Sequence, residues 1–306
     1  MLLTQLFIFF ISLVVLIKSS DYFTDSAEKV GLYFKFPAFI VGVTIISVGT
    51  SLPELVTSIM SVLKHHSEIV AGNVTGSDIA NILLILGISS IIAKDMRFEH
   101  DIMRVDLPIL AASSFFLFFC VQDGIFSTIE GVLSILLLVV YLLYASQAKK
   151  STFENVLIEK LGFKTPIILI LSIIFVNISA EYTVSSIVKI SAILHIPTEV
   201  IAASALAIGT SLPELVVSIT AIKKGNIEMS VGNVVGSNIF NTFGVMGTAS
   251  LFGNIKIGSD VINFYIPFVV ASTILLVFAI QNKVMSRWIG YTFVIFYIFY
   301  ILKLFL

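Results

Sequence analysis

The segment Gly49-Thr50-Ser51-Leu52-Pro53-Glu54 recurs unchanged as Gly209-Thr210-Ser211-Leu212-Pro213-Glu214. Both copies lie within apolar stretches, where a proline removes a backbone hydrogen-bond donor and clashes with the preceding helical turn. Each copy therefore predicts a membrane helix that breaks just before a glutamate. At bilayer depth such a break is tolerated only where it is buried in protein or lines a cavity.

The repetition extends well beyond these six residues, at a constant offset of 160 residues. About 20 of the roughly 50 positions between 37 and 87 are identical to their counterparts, without a gap. A second motif, Gly72–Asn81, recurs as Gly232–Asn241. Interrupted spans at corresponding positions of two repeats are the best sequence indication of a transporter's binding site.

The composition is that of a membrane protein. The 306 residues are 58% hydrophobic and 12% charged, whereas soluble domains carry about 25% charged residues. The apolar runs are long enough for helices, which need roughly 20 residues to cross a bilayer, and lack the short alternating segments of a membrane β-barrel. Ten spans are predicted, at residues 2–19, 37–63, 69–93, 105–122, 127–146, 166–188, 197–222, 228–252, 262–281 and 287–305.

These spans divide into two repeats of five. Because five is odd, the second repeat must insert upside down relative to the first, which creates a pseudo-two-fold axis in the membrane plane. We predict an all-α integral membrane protein with ten transmembrane helices in two inverted repeats, 1–146 and 166–306, and broken helices at the midplane. The repeated motifs occupy 37–93 and 197–253, and residues 147–165 form an inner-side linker with an amphipathic turn around Phe153–Leu161.

The basic residues predict the orientation. With the N-terminus outside, 14 of the 18 lysines and arginines lie on the inner side, and only Lys64, Lys189, Lys256 and Lys303 lie outside. Positive charge accumulates on the cytoplasmic side of membrane proteins. We therefore expect a multi-pass protein of the cell membrane with both termini extracellular.

Glu54 and Glu214 are the central candidates for a functional site. A carboxylate at the bilayer centre costs at least about 2.5–3.5 kcal/mol, and no lysine or arginine lies in the central part of any predicted span. Two glutamates brought together by the pseudo-symmetry would repel each other unless they share protons or hold a cation between them. The alternative is a pair of protonated carboxyl groups that only link helices by hydrogen bonds.

The neighbouring residues offer further oxygen ligands. Hydroxyl groups lie one helical turn before each glutamate, backbone carbonyls could be freed one turn earlier, and a Ser and an Asn share a face of the second motif in each repeat. The two Gly-x-x-x-Gly patterns of that motif, which begin at Gly72 and Gly232, favour close helix packing that would bring this face to the site. The predicted ligand set contains no Cys or His, which favours a hard cation over zinc, copper or iron. It consists of Glu54, Glu214, Thr50, Ser51, Ser77, Asn81, Thr210, Ser211, Ser237, Asn241 and the carbonyl groups of Ser47 and Ala207.

Three other acidic residues receive weaker interpretations. Asp78 lies one residue off the Ser77/Asn81 face, so we expect it at the edge of a cavity or bonded to a helix end. Asp21 and Glu181 occur toward the ends of their predicted spans, where they would cap or gate.

The two motifs closely resemble the alpha repeats of the cation/calcium antiporter superfamily, in the form carried by its sodium/calcium exchanger branch of prokaryotic and archaeal type. This resemblance implies that Glu54 and Glu214 bind Ca²⁺ and share in binding Na⁺. It also implies alternating access, in which the first and sixth spans slide across the core. Further ligands implied by the resemblance are Thr50, Ser51, Ser77, Thr210, Ser211 and Ser237.

Two sequence differences refine this expectation. The proton-coupled branch usually carries Gly-Asn-Ala-Thr-Glu in place of the first motif, and this chain does not, which favours sodium as the coupling ion. Some relatives carry aspartate at the position of Asn241, so we expect a site with two carboxylates rather than three.

The predicted function is therefore secondary antiport of Na⁺ against Ca²⁺. Ca²⁺/H⁺ exchange by the same glutamates is the main alternative, and an uncoupled cation channel is a further one. An enzyme is not expected, because the chain contains no Ser/Lys, His-Glu-x-x-His or Gly-x-Gly-Asp constellation. The expected partners are Ca²⁺, Na⁺ and the lipid bilayer, without a prosthetic group, a nucleic acid or an obligate protein partner.

Overall fold

The computed structural model describes residues 2–147, 161–194, 211–281 and 283–304, and these are almost entirely helical. The predicted turn around Phe153–Leu161 lies outside the described residues except for Leu161, as does the first part of the seventh span. The helices are α1 (Leu2–Tyr33), α2 (Ala38–Thr50), α3 (Leu52–Leu63), α4 (Glu68–Ala93), α5 (Asp106–Cys120), α6 (Thr128–Gln147), α7 (Lys164–Ile193), α8 (Leu212–Lys223), α9 (227–250), α10 (Val261–Ile280) and α11 (Arg287–Lys303). Four short strands are β1 (Asp95–Arg97), β2 (Ile125–Phe126), β3 (Ile255–Lys256) and β4 (Val284–Ser286).

Several helices have the length and composition of membrane spans. Among the described residues, α1, α4, α6, α7 and α10 are long and apolar enough to cross a bilayer, and α2 with α3 forms one further span bent by 44°. α5 is a shorter apolar helix. The predicted break in the second span is therefore confirmed.

The second half repeats the structure of the first. α8 occupies the positions of α3 in the other repeat, and π-helical segments interrupt α4 at Ala80–Ile85 and α9 at Phe240–Val245. β1 pairs antiparallel with β4, and β2 pairs with β3. The offset of 160 residues relates β1 to β3 and β2 to β4. The two ribbons are therefore the same pairing with the repeats exchanged, as a pseudo-two-fold axis requires.

α1 is much longer than predicted. It continues to Tyr33 instead of ending at residue 19, because the turn between α8 and α9 provides partners for its charged second half. Lys224 Nζ lies 2.6 Å from Asp25 Oδ1 and donates to the backbone carbonyl of Asp21 at 2.8 Å. Asp21 and Glu181 both lie well inside their helices, so the prediction that they cap helix ends is wrong.

α1 and α7 pack along each other as a pair. A buried hydrogen bond joins them, from the hydroxyl of Thr183 to that of Ser12 at 2.8 Å. α1 then closes with two reversed backbone bonds, Lys35 N to Leu32 O and Phe36 N to Gly31 O, with Lys35 in the left-handed region at φ 59°. This is a Schellman motif. Only Phe34–Pro37 separates α1 from α2.

α9 crosses α2 with the two backbones almost in contact. A Cβ atom added at Gly232 would lie 2.2 Å from the carbonyl oxygen of Phe39, and one added at Gly236 would lie 2.5 Å from that of Val43. The packing role predicted for the Gly-x-x-x-Gly pattern is therefore confirmed in the second repeat. In the first repeat, the segment corresponding to residues 39–47 is 199–207, which lies outside the described residues.

Candidate functional site

The described break in the first repeat lies at the serine before the Leu-Pro-Glu sequence, and the corresponding serine of the second repeat precedes α8 in nearly the same conformation. Ser51 has φ −84° and ψ 10°, and Ser211 has φ −86° and ψ 5°. The proline then falls in the first turn of the next helix, where its missing N–H costs nothing. Glu54 and Glu214 also lie in that first turn, so the positive end of a helix dipole helps to compensate each buried carboxylate.

The two repeats meet at these glutamates. Ser51 Oγ of the first repeat donates to Glu214 Oε1 of the second at 3.1 Å. Ser77 Oγ donates to Glu54 Oε1 at 3.4 Å. Side chains more than 150 residues apart in sequence therefore come together in one polar cluster.

α2 is helical up to this break, with a π-helical segment at Gly42–Ile46 followed by an α-helical turn at Ser47–Thr50. The Ser47 carbonyl accepts from the backbone N–H of Ser51 at 3.0 Å and from the Thr50 hydroxyl at 3.3 Å, so α2 does not unwind at Ser47 as the sequence suggested. Thr50 Oγ1 also lies 3.2 Å from Asn233 Oδ1 on α9.

Asn81 and Asn241 lie in the π-helical segments, a kind of helical irregularity that is frequent at functional sites. Asn81 Nδ2 donates to Asn238 Oδ1 at 2.9 Å, and Asn241 Nδ2 donates to Asp78 Oδ1 at 3.0 Å. Each bond joins the two repeats. The Oδ1 atoms of both Asn81 and Asn241 are buried without a hydrogen-bond partner in the described part of the chain.

All the predicted ligand residues that the structure describes are buried, with at most 3% of each exposed. Three further oxygens lack a hydrogen-bond partner among the described residues: Ser211 Oγ, Ser237 Oγ and Glu214 Oε2. Thr210 and Ala207 lie outside the described residues. The described members of the predicted set are Ser47, Thr50, Ser51, Glu54, Ser77, Asn81, Ser211, Glu214, Ser237 and Asn241.

Two residues have a larger part in the cluster than the sequence suggested. Asn233 donates to Ser218 Oγ at 2.9 Å and to the Glu214 carbonyl at 3.4 Å; its place in the repeated second motif was the available signal. Asp78 is only 1% exposed and accepts from Asn241 and Thr242. Its side chain bonds residues within α9 rather than a helix end, and with Glu54 and Glu214 it is one of three buried acidic side chains in the described parts of the repeated motifs.

This chemistry suits a hard cation. Among the described residues, no lysine or arginine is buried, and no group of three or more His, Cys, Asp or Glu side chains is arranged to hold a metal ion. A cation held by the two glutamates would take its other ligands from hydroxyl, amide and carbonyl oxygens. Such oxygen-rich sets are typical of Ca²⁺ and other hard ions.

Known proteins share both the sequence and the fold. The family model described as sodium/calcium exchanger protein matches residues 4–147 and 164–306. The chain is 31% identical to the sodium/calcium exchanger MaX1 of Methanosarcina acetivorans, covering 100% of this chain and 99% of that protein. It is 33% identical to the uncharacterized membrane protein MJ0091 of Methanocaldococcus jannaschii, covering 97% and 96%.

A solved structure agrees equally well. The sodium-calcium exchanger NCX_Mj, soaked with 2.5 mM Na⁺ and 0.1 mM Ca²⁺, superimposes with a TM-score of 0.86 at 31% identity, covering 98% of each chain. These matches confirm the all-helical membrane fold, and they make the protein a transporter rather than an enzyme. The chain belongs to the sodium/calcium exchanger family of multi-pass membrane antiporters.

Proposed function

We propose that this antiporter exchanges Na⁺ for Ca²⁺ at the buried cluster around Glu54 and Glu214. The observation that carries this proposal is the contact between Ser51 and Glu214, which joins the break between α2 and α3 to the first turn of α8 at a pair of buried carboxylates. Sodium and calcium ions are also named for the related exchangers MaX1 and NCX_Mj. The proposed ligands are the two glutamates with Thr50, Ser51, Ser77, Asn81, Thr210, Ser211, Ser237, Asn241, the carbonyl of Ala207 and the carbonyl of Ser47, which would bind the ion while it keeps its helical hydrogen bonds.

Charge neutralisation provides the coupling. One Ca²⁺ or two Na⁺ would neutralise the two glutamates, so the two ions compete for the same carboxylates and do not bind them together. A buried, uncompensated carboxylate pair is costly, which disfavours an empty carrier. Return of the carrier is therefore tied to loading with the other ion.

The α1–α7 pair is suited to alternating access. It packs as a unit, and α7 also contacts the broken helix, since Asn177 Nδ2 donates to the Gly49 carbonyl at 3.2 Å. Movement of this pair would change the protein surface beside the break at Ser51. The two repeats, 1–146 and 166–306, would then expose one site to either side in turn, with 147–165 as the linker.

The ion dependence of transport tests this proposal. In proteoliposomes loaded with Na⁺ and diluted into Na⁺-free buffer, we expect ⁴⁵Ca²⁺ uptake that a sodium ionophore abolishes and a protonophore does not. Uptake driven by a pH gradient without sodium would assign the protein to Ca²⁺/H⁺ exchange. Flux without any counter-ion would contradict antiport and indicate a channel.

We also propose that both termini lie outside the cell membrane. The support is the distribution of basic residues, with 14 of 18 on the inner side in this orientation. A single cysteine added beyond Lys303, in a Cys120→Ser background, should react with a membrane-impermeant maleimide in intact cells. Labelling only after permeabilisation would reverse the orientation.

A further inference from the structure

We propose that Asp78 is a positioning residue that orients the side-chain amides of Asn241 and Asn81, so that their oxygens face the cation. This inference rests on the proposed function of the cluster. Asp78 lies between the repeats: its side chain is held by residues of α9, and its backbone carbonyl accepts from α9 as well. One residue thus contacts Asn241 directly and also contacts Asn238, the partner of Asn81.

The side chain of Asp78 fixes Asn241. Asp78 Oδ1 accepts hydrogen bonds both in the carboxylate and in an acid protonated on Oδ2, so the amide facing it must present its NH₂ group. Asn241 Nδ2 does so at 3.0 Å, and Thr242 Oγ1 holds the other carboxylate oxygen at 3.3 Å. The Asn241 oxygen must then point away from Asp78, and it has no partner in the described part of the chain.

The backbone of Asp78 fixes Asn81 through one intermediate. A carbonyl also only accepts, and the Asp78 carbonyl receives Asn238 Nδ2 at 3.1 Å. Asn238 must therefore turn its oxygen the other way, where it accepts from Asn81 Nδ2 at 2.9 Å. The Asn81 oxygen is left buried without a hydrogen-bond partner among the described residues.

The arrangement follows the pseudo-two-fold axis but differs in its chemistry. Position 78 corresponds to 238, and position 81 corresponds to 241. Asp78 accepts from Asn241, and Asn238 accepts from Asn81, so the two hydrogen bonds are related by the pseudo-symmetry. Asn238 could present either end of its amide and needs the Asp78 carbonyl to orient it. Asp78 has no NH₂ end, so only a carboxyl oxygen can face Asn241. The Asp78 side chain thus determines the direction of the Asn241 amide, and the backbone carbonyl of residue 78 determines that of Asn238.

A rescue experiment tests this role. Asp78→Ala removes the acceptor of Asn241, and we expect the half-saturating Ca²⁺ concentration to rise about tenfold or more, the range for leaving a buried polar group without its hydrogen-bond partner. Adding Asn241→Asp should restore most of the affinity, because a carboxylate presents an oxygen in either rotation. The matched control is Asp78→Ala with Asn81→Asp. It adds the same carboxyl group at position 81, whose amide is oriented through Asn238 by the backbone carbonyl of residue 78 and so does not depend on the Asp78 side chain.

The pattern of rescue decides the outcome. Rescue by Asn241→Asp alone supports positioning. Equal rescue by both aspartates would mean that only the charge matters, and rescue by neither would mean that Asp78 serves packing; both results overturn the proposal. If Asp78→Ala does not fold, the same comparison with Asp78→Asn applies, because an amide at 78 can present either end to Asn241.

The readout should be cation binding as well as transport. Thermal stabilisation of the detergent-purified protein by Ca²⁺, Sr²⁺ or Na⁺ gives apparent affinities without requiring exchange. If the unsubstituted protein binds cations but shows no sodium-driven uptake, the proposed exchange fails, while the affinity ratios among the variants still decide the role of Asp78. An unsubstituted protein that no cation stabilises would overturn both proposals.

Discussion

Glu214→Gln is expected to abolish sodium-driven Ca²⁺ uptake in proteoliposomes. Glutamine keeps the volume and one acceptor oxygen but removes the charge that faces the ion. Two unit charges 4 Å apart attract by about 4 kcal/mol at an effective dielectric constant of 20, and a divalent ion doubles that attraction. Even after partial compensation by other ligands, the Ca²⁺ affinity should fall by more than about a hundredfold. Glu54→Gln should have the same effect, since both carboxylates are buried at the proposed site.

The folded state of these variants should survive. Removing a buried charge relieves a desolvation cost, so we expect the thermal midpoint of cation-free Glu214→Gln to equal or exceed that of the unsubstituted protein. Glu99→Gln, at an exposed acidic residue, is the control and should transport normally. Substantial uptake by a well-folded Glu54→Gln or Glu214→Gln variant would contradict the proposed site.

Gly236→Ala is expected to disrupt the junction between α9 and α2. The new methyl group would lie 2.5 Å from the Val43 carbonyl oxygen and 2.7 Å from Ser47 Oγ, and the first of these is rigid backbone. Overpacking a core commonly costs about 1–3 kcal/mol, and a backbone contact places this change at the upper end. The helices must separate, which also stretches the bond between Thr50 and Asn233.

Both stability and transport should therefore fall in this variant. The measurement is the thermal midpoint in detergent together with ⁴⁵Ca²⁺ uptake per folded protein. Gly258→Ala is the matched control, because no described atom lies within 4 Å of its added Cβ. An unchanged midpoint in Gly236→Ala would show that α2 and α9 are not held in backbone contact.

The sequence predicted the parts of the fold that depend on local pattern and duplication. The offset of 160 residues predicted that Ser51 and Glu214 belong to one cluster, and their hydrogen bond bears this out. Hydropathy located the spans but ended α1 too early, since charged residues close a hydropathy window. Their partners, Lys224 and Asn226, are distant in sequence and become neighbours only in the tertiary structure.

The position of Asp78 could not be obtained in the same way. Assigning faces by i, i+4 spacing assumes a regular α-helix, and on that assumption Asp78 lies off the Ser77/Asn81 face. A π-helical segment begins at Ala80, where the hydrogen bonds shift to i→i+5 and the following residues turn relative to those before. The contact with Asn241 also depends on how α4 and α9 cross, and the spacing of residues along a single helix does not predict a crossing geometry.

The two strand ribbons have a mechanical consequence. Each joins one repeat to the other through hydrogen bonds, so the two halves are braced against each other at two separate places. Among the described residues, neither α1 nor α7 adjoins a strand in sequence. We therefore expect the parts of the two repeats that the ribbons join to form a rigid core. The long helices α1 and α7 lack such strand links and pack against this core as a pair.

The distance that α1 and α7 can move is limited by the short connection between α1 and α2. Phe34–Pro37 connects α1 to α2, and Lys35 in this connection already adopts a left-handed conformation. A chain extends by at most about 3.3–3.6 Å per residue, so these few residues must absorb any travel of α1 by backbone rotation. Inserting glycines into Phe34–Pro37 would weaken the coupling between the position of α1 and α7 and the occupancy of the ion site. The result would be ion flux without exchange.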